Sequence, residues 1–134
     1  MPLFRGILAC CLAYLLSACG TPPAINGFNA EQWKNDRQGC KNNRTAMIDI
    51  LNAEKHTLPG TAESDVIALF GKPDRHELRS RNQRFYEYCI SPGPECGKAG
   101  NAGASSAYEP GMVLRVRFSA TNHVTEVTIE KSDK

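Results

Sequence analysis

Apolar and polar residues alternate with a period of two through the C-terminal part of the chain. Over Gln83–Ile90, Tyr86, Tyr88 and Ile90 share one parity, and Phe85, Glu87 and Cys89 the other. Over Met112–Phe118, Leu114, Val116 and Phe118 alternate with Arg115 and Arg117. Over Val124–Ile129, Val127 and Ile129 alternate with Glu126 and Thr128. Strand side chains point to opposite faces in turn, so each run predicts a strand with one apolar side. An apolar face backed by a polar one predicts an antiparallel sheet covered on one side only. His76–Arg79 is a shorter fourth candidate, and Thr121-Asn122-His123 supplies a turn between the last two strands.

The preceding residues follow a helical period. Trp33, Cys40, Met47, Ile48 and Leu51 fall on one stripe of a first helix. Asn29 is a suitable N-cap, with Glu31 and Gln32 in the first turn. Arg37 and Arg44 flank the stripe, where their stems can lie along its edge. Gly39 is a weak point, worth about 1 kcal/mol relative to alanine in a helix. Phe28 and Trp33 are expected to pack on the domain's own core. Leu58-Pro59-Gly60 breaks the pattern. Thr61 or Ser64 then caps a second helix, Ala62–Phe70, which buries Val66, Leu69 and Phe70. Gly71 occupies the left-handed stop position, and Pro73 prevents continuation. The predicted fold is α+β: two N-terminal helices packed on one face of a small antiparallel sheet of three to four strands. This domain covers residues 29–134. Within it, 91–111 is rich in Gly, Ala, Ser and Pro, lacks periodicity and is read as a long mobile loop.

Residues 1–18 have the layout of a secretory signal: Arg5, the apolar run Ile7–Leu16, then small residues. Ten apolar residues at about 1.5 Å per residue cover only half a hydrocarbon core, which argues against a permanent span. Leu16-Ser17-Ala18-Cys19 resembles the lipobox of bacterial lipoproteins. That resemblance implies cleavage before Cys19 and lipidation of its thiol and freed amine. Each buried CH₂ contributes about 0.8 kcal/mol, and more than one chain is needed for stable anchoring. Gly20 at the second mature position implies the outer rather than the inner membrane. Residues 19–28, with Pro22 and Pro23, read as a lipidated tether.

Removing the signal leaves 116 of the 134 residues, with 15 basic and 14 acidic side chains. One small domain fits that length, and the near-neutral balance gives no case for nucleic acid. Three cysteines remain besides Cys19: Cys40, Cys89 and Cys96. An odd number predicts one disulfide and one leftover thiol. Cys89–Cys96 would close an eight-residue ring, worth about 2–3 kcal/mol in the chain-entropy model. Cys40–Cys96 would close a ring of 57 residues, worth about 4 kcal/mol in the same model. The two are equally favoured. Cys40–Cys89 ranks below both, because Cys40 lies on the buried stripe and Cys89 on the side of the sheet away from the helices.

No C-x-x-C pair exists, and His56, His76 and His123 lack ligand spacing, so no metal or other cofactor is expected. Asp74 and His76 do not complete an acid–base site, and no motif sets a histidine beside a cysteine, so no catalytic residue is assigned. Arg75, Arg79, Arg81 and Arg84 form a basic run, with Arg115 and Arg117 as an extension. It is a candidate surface for anionic lipid headgroups or an acidic partner, at about 1 kcal/mol per basic residue near a charged membrane.

Leu58-Pro59-Gly60-Thr61-Ala62-Glu63-Ser64-Asp65-Val66-Ile67-Ala68-Leu69-Phe70-Gly71-Lys72-Pro73-Asp74 resembles an element of the SmpA/OmlA (BamE-like) outer-membrane lipoproteins. The resemblance rests on Leu58, Gly60, Val66, Gly71 and Pro73. It implies a non-catalytic αα-β domain, shared in outline with β-lactamase-inhibitor-like domains. It also implies lipid anchoring on the periplasmic side of the outer membrane, with outer-membrane assembly proteins as partners. The expected function is therefore a scaffold of envelope assembly or integrity. The alternative is an inhibitor-like or ligand-sequestering module acting on a periplasmic partner through the polar sheet face.

Overall fold

The computed structural model describes residues 23–92, 96 and 111–132. The predicted signal segment and Cys19 lie outside the described residues. So does the predicted loop over 93–95 and 97–110.

The chain is α+β. A four-stranded antiparallel sheet in the order β1-β2-β3-β4 follows several short helices. The strands are β1 (Arg75–Arg79), β2 (Gln83–Cys89), β3 (Val113–Phe118) and β4 (Val124–Glu130). The alternation read from sequence holds. Tyr86, Tyr88, Ile90, Leu114, Val116 and Phe118 join one buried cluster with Trp33, Leu51, Val66 and Phe70. Arg115 and Arg117 project to the opposite side. A register shift between Arg117 and Phe118 turns Val124 inward as well as Val127, although these are three positions apart. A bulge inserts one residue and resets the alternation.

The helices are α1 (Ala30–Lys34), α2 (Ile48–Glu54) and α3 (Glu63–Phe70). The side chain of Asn29 caps α1 by accepting from the Gln32 amide at 3.0 Å. The single long first helix is not formed. Between α1 and α2 the chain makes two 3₁₀ turns, Arg37–Gly39 and Thr45–Met47, with left-handed backbone at Gln38, Gly39 and Asn42. Cys40, placed on the buried stripe by its spacing, is exposed. The Gly39 reading changes with it. A side chain there would begin 2.5 Å from the Ile90 carbonyl oxygen, at a φ of 68°. Gly39 is therefore a close-approach point against the end of β2 rather than a flaw in a helix.

α3 matches its prediction in span and buried side, and Gly71 ends it at φ 77°. Its cap differs. Neither Thr61 nor Ser64 caps it; Ala62 is the N-cap, and the Glu63 amide donates to the Asn122 carbonyl at 2.9 Å. Reciprocal bonds of 2.8 Å join Gly60 and Thr61 to Val124. The start of α3 is thus stitched to the β3–β4 turn.

The core is an aromatic chain. Ring centroids lie 5.5 Å apart for Phe28–Trp33, Trp33–Phe70 and Phe70–Tyr88. Tyr86 and Phe118 form a further ring pair in the same core, at 4.8 Å. Such pairs add about 0.5–1.5 kcal/mol each beyond the area they bury. Ile25 is 6% exposed, so core packing starts three residues before Phe28 and takes in the last part of the expected tether.

Candidate functional site

The predicted basic run does not form one patch. β1 pairs with β2 in the register Arg75↔Glu87, Glu77↔Phe85 and Arg79↔Gln83. Arg75, Glu77 and Arg79 therefore share the outer face with Glu87, Arg115 and Arg117. Arg84 opposes Leu78 on the other face, and Arg81 sits in the β1–β2 turn with left-handed backbone.

On the outer face each cation meets a carboxylate. Arg115 bonds Glu87 at 2.8 Å and also reaches Glu130. Arg75 stands 3.9 Å from Glu87, Arg117 3.5 Å from Glu126, and Arg79 3.1 Å from Glu77. The hydrogen bond from Arg79 holds the Glu77 carboxyl below its ordinary range. Arg79 and Arg117 flank the ring of Phe85, at 4.9 and 6.0 Å. A groove of about 510 Å³ crosses this face beside Glu77, Glu87 and Arg115. The face is a charge-compensated lattice, and exposed pairs of this kind are worth about 0.2–1 kcal/mol each.

Arg84 binds both oxygens of Glu63, at 3.1 and 3.0 Å, and reaches Asn122. The Tyr86 hydroxyl donates to the same carboxylate. Burial, then that bond, pushes the Tyr86 hydroxyl up to about 12, and deeper burial pushes Tyr88 higher still. Tyr88 donates to the Gly71 carbonyl at 3.0 Å.

A second polar node lies inside. The side chains of Arg44 and Asp74 are 1% and 2% exposed and form an ion pair. Arg44 also donates to the carbonyls of Trp33 and Cys89 at 3.0 Å, with its guanidinium 4.7 Å from the centre of the Trp33 ring. Asp74 accepts from the amides of Cys89 at 2.9 Å and Gln38 at 3.2 Å. Buried Asp36 accepts from the amides of Lys41 at 2.7 Å and Arg44 at 3.0 Å. The node ties the irregular 35–47 segment to the sheet and satisfies its backbone, as buried polar groups require. Its bonds go chiefly to main chain and to each other, with the exposed Arg37 side chain 3.8 Å from Asp74 at its rim, which makes it a brace rather than a binding site.

Cys40 and Cys96 form the disulfide, with Cα atoms 5.3 Å apart. This selects one of the two equally favoured pairings. Cys89 is fully buried in β2 and lies outside that bond.

β1 is an edge strand whose five residues are all exposed. Leu78 on it is 67% exposed, and Ile67 on α3 is 40% exposed. Both line a groove of about 630 Å³ between α3 and β1. No protein-family model, curated protein or solved structure matches this chain. Among the described residues, no helix is long and apolar enough to cross a membrane, and no three His, Cys, Asp or Glu side chains converge as metal ligands.

Sequence reasoning missed Asp36, weighed Asp74 only with His76 as an incomplete acid–base pair, and placed Arg44 at the edge of a stripe. The available signal was the cluster of turn-forming residues Asn35, Asp36, Gly39, Asn42 and Asn43, which is incompatible with an unbroken helix. The Ile67–Leu78 groove gave no signal, because each is an ordinary apolar position in its own element.

Proposed function

We propose that this chain is a lipid-anchored, non-catalytic interaction module of a bacterial envelope, held at the periplasmic side of the outer membrane through Cys19. The observation that carries the reading is Leu16-Ser17-Ala18-Cys19 at the end of a short apolar run. A two-helix layer on one face of the sheet, as in the SmpA/OmlA-like domains, is part of the same reading. It is supported by the roles of the shared residues: Leu58 and Val66 are each 1% exposed, and Gly71 ends α3. A scaffold role in outer-membrane assembly or integrity follows from that resemblance.

Metabolic labelling with palmitate tests the anchor. The chain should incorporate label and fractionate with membranes. Cys19→Ser should lose the label and become soluble. No label, with unchanged fractionation of Cys19→Ser, would overturn the reading. Affinity capture of the lipidated protein from solubilised envelopes separates the partner classes. Barrel-assembly proteins would support the scaffold, whereas a soluble periplasmic enzyme would favour the inhibitor-like module.

A further inference from the structure

We propose that β1 is a homodimer interface: two copies of the chain pair antiparallel along this edge, about a two-fold axis at Leu78, and join their sheets into one. The proposal rests on the interaction-module reading for confinement to a membrane, and it names a second copy as the partner at this edge.

The sheet's two edges differ. The start of β4 is covered by residues 60–63 through the Gly60, Thr61 and Glu63 bonds. Among the described residues, β1 has only β2 as a strand neighbour. Main-chain bonding alternates along a strand between its two neighbours. The Ile90 amide donates toward β3, to the Met112 carbonyl at 2.8 Å, whereas the Cys89 amide turns the other way and donates to Asp74 at 2.9 Å. Phe85 and Glu87 share the parity of Cys89, and they stand opposite Glu77 and Arg75. Arg75, Glu77 and Arg79 therefore direct their main-chain groups at β2, while His76 and Leu78 direct theirs outward. Such an outward row is a template for another strand.

Side-chain chemistry selects the occupant. Each Arg and Glu of β1 already has a counter-charge: Glu77 and Arg79 pair at 3.1 Å, and Arg75 lies 3.9 Å from Glu87. A compensated edge prefers neither an acidic nor a basic strand, but this one is self-complementary. A two-fold at Leu78 sets Leu78 against Leu78 of the partner subunit, and Glu77 against Arg79 of the partner subunit. Leu78 then falls in a hydrogen-bonded pair, and Glu77 and Arg79 in the closer pairs without main-chain bonds. Each carboxylate gains a second guanidinium, and opposite charges directly opposed stabilise a sheet. On the helix side Leu78, 67% exposed, meets its own copy beside Ile67, 40% exposed, with which it lines one groove. These two are the large hydrophobics left exposed among the described residues.

The neighbouring registers fail. A two-fold at Glu77 opposes Glu77 to itself and Arg75 to Arg79, and like charges directly opposed are destabilising. A two-fold at His76 needs the Asp74 amide, which already donates to the Glu87 carbonyl at 3.0 Å. The Leu78 register ends at Ser80, because Arg81 leaves the strand at a φ of 64° before it can stand against Arg75. So short a strand pair binds weakly by itself, and anchoring on one surface supplies the effective concentration it needs.

The test is oxidative cross-linking in membranes of cells making the full chain with Leu78→Cys. Cys40 and Cys96 are bonded and Cys89 is buried, so the new thiol is the accessible one among the described residues. A hydrogen-bonded pair sets its Cα atoms about 5.5 Å apart, within disulfide reach. Glu77 and its counterpart are offset by about 7 Å along the strands and fall outside that reach. Leu78→Cys should give a disulfide-linked dimer on a non-reducing gel, and Glu77→Cys about tenfold less. In the Leu78→Cys background, Glu77→Arg alone or Arg79→Glu alone opposes like charges across the axis and should cut the dimer about tenfold. Co-expressing those two chains opposes unlike charges again and should restore cross-linking as a mixed dimer. These side chains are exposed, so every variant should keep the wild-type circular dichroism spectrum. Four results would overturn the interface: no Leu78→Cys dimer, equal cross-linking of Glu77→Cys, indifference to either charge reversal, or no rescue on co-expression. Cross-linking of Leu78→Cys chiefly to a different protein would also overturn it and assign the edge to that protein. Palmitate labelling of the same cells reads the anchor separately. Label without the dimer removes the interface and leaves the anchored-module reading standing.

Discussion

The two faces of the sheet use charge in opposite ways. On the helix side, the side chains of Arg44, Asp74 and Asp36 are buried and satisfied by main-chain groups and by one another, with Arg44 over the Trp33 ring. On the outer side, Arg75, Arg79, Arg115 and Arg117 stand in partly exposed pairs with Glu87, Glu77, Glu130 and Glu126. Water screens the outer lattice and not the inner node, so the same residue types differ in consequence by several-fold. The inner charges fix the path of the chain. The outer charges set what the surface will tolerate beside it.

Substitutions should reproduce that ranking. Asp74→Ala leaves a buried guanidinium without its counter-charge and two amides without an acceptor, and should cost about 3–5 kcal/mol, read as a lower urea midpoint. Phe70→Ala, at the centre of the aromatic chain, should cost a similar 3–5 kcal/mol. Gly39→Ala forces a side chain against the Ile90 carbonyl in left-handed backbone and should cost about 1–3 kcal/mol. Arg117→Ala should cost less than about 1 kcal/mol, and less again in high salt. An outer-face variant as damaging as Asp74→Ala would erase the contrast.

Ionisation of the Tyr86 and Tyr88 phenols probes the inner face. Tyr86 and Tyr88 ionise later in the folded chain than in the unfolded one. Between pH 10 and about 12 the unfolded state therefore sheds protons that the folded state keeps. Stability is full below pH 10 and falls as pH rises through that window. Phenolate absorbance should lag behind that of free tyrosine until the chain unfolds.

The sheet and α3 were legible because their signals are local and agree. Period-two runs in β2, β3 and β4, the Asn122 turn, and Gly71 with Pro73 each point to one structure. The Asp36–Met47 segment was not legible. The spacing of Trp33, Cys40, Met47 and Leu51 imitates a helical stripe, while the backbone is held by contacts distant in sequence: Arg44 to Asp74, Thr45 to the Ile90 carbonyl, Gln38 to Asp74. A helical period counted along the chain cannot register those partners. Nearness along the chain also joined Arg84 to Arg75 and Arg79 in one basic run, although strand register puts them on opposite faces.

The intact mass of the protein purified from membranes tests the central claim most directly, since it reads the anchor and the disulfide together. The account predicts residues 19–134 bearing acyl chains and lacking the two hydrogens lost to Cys40–Cys96. An unmodified Cys19, or a chain cut at another position, would contradict it.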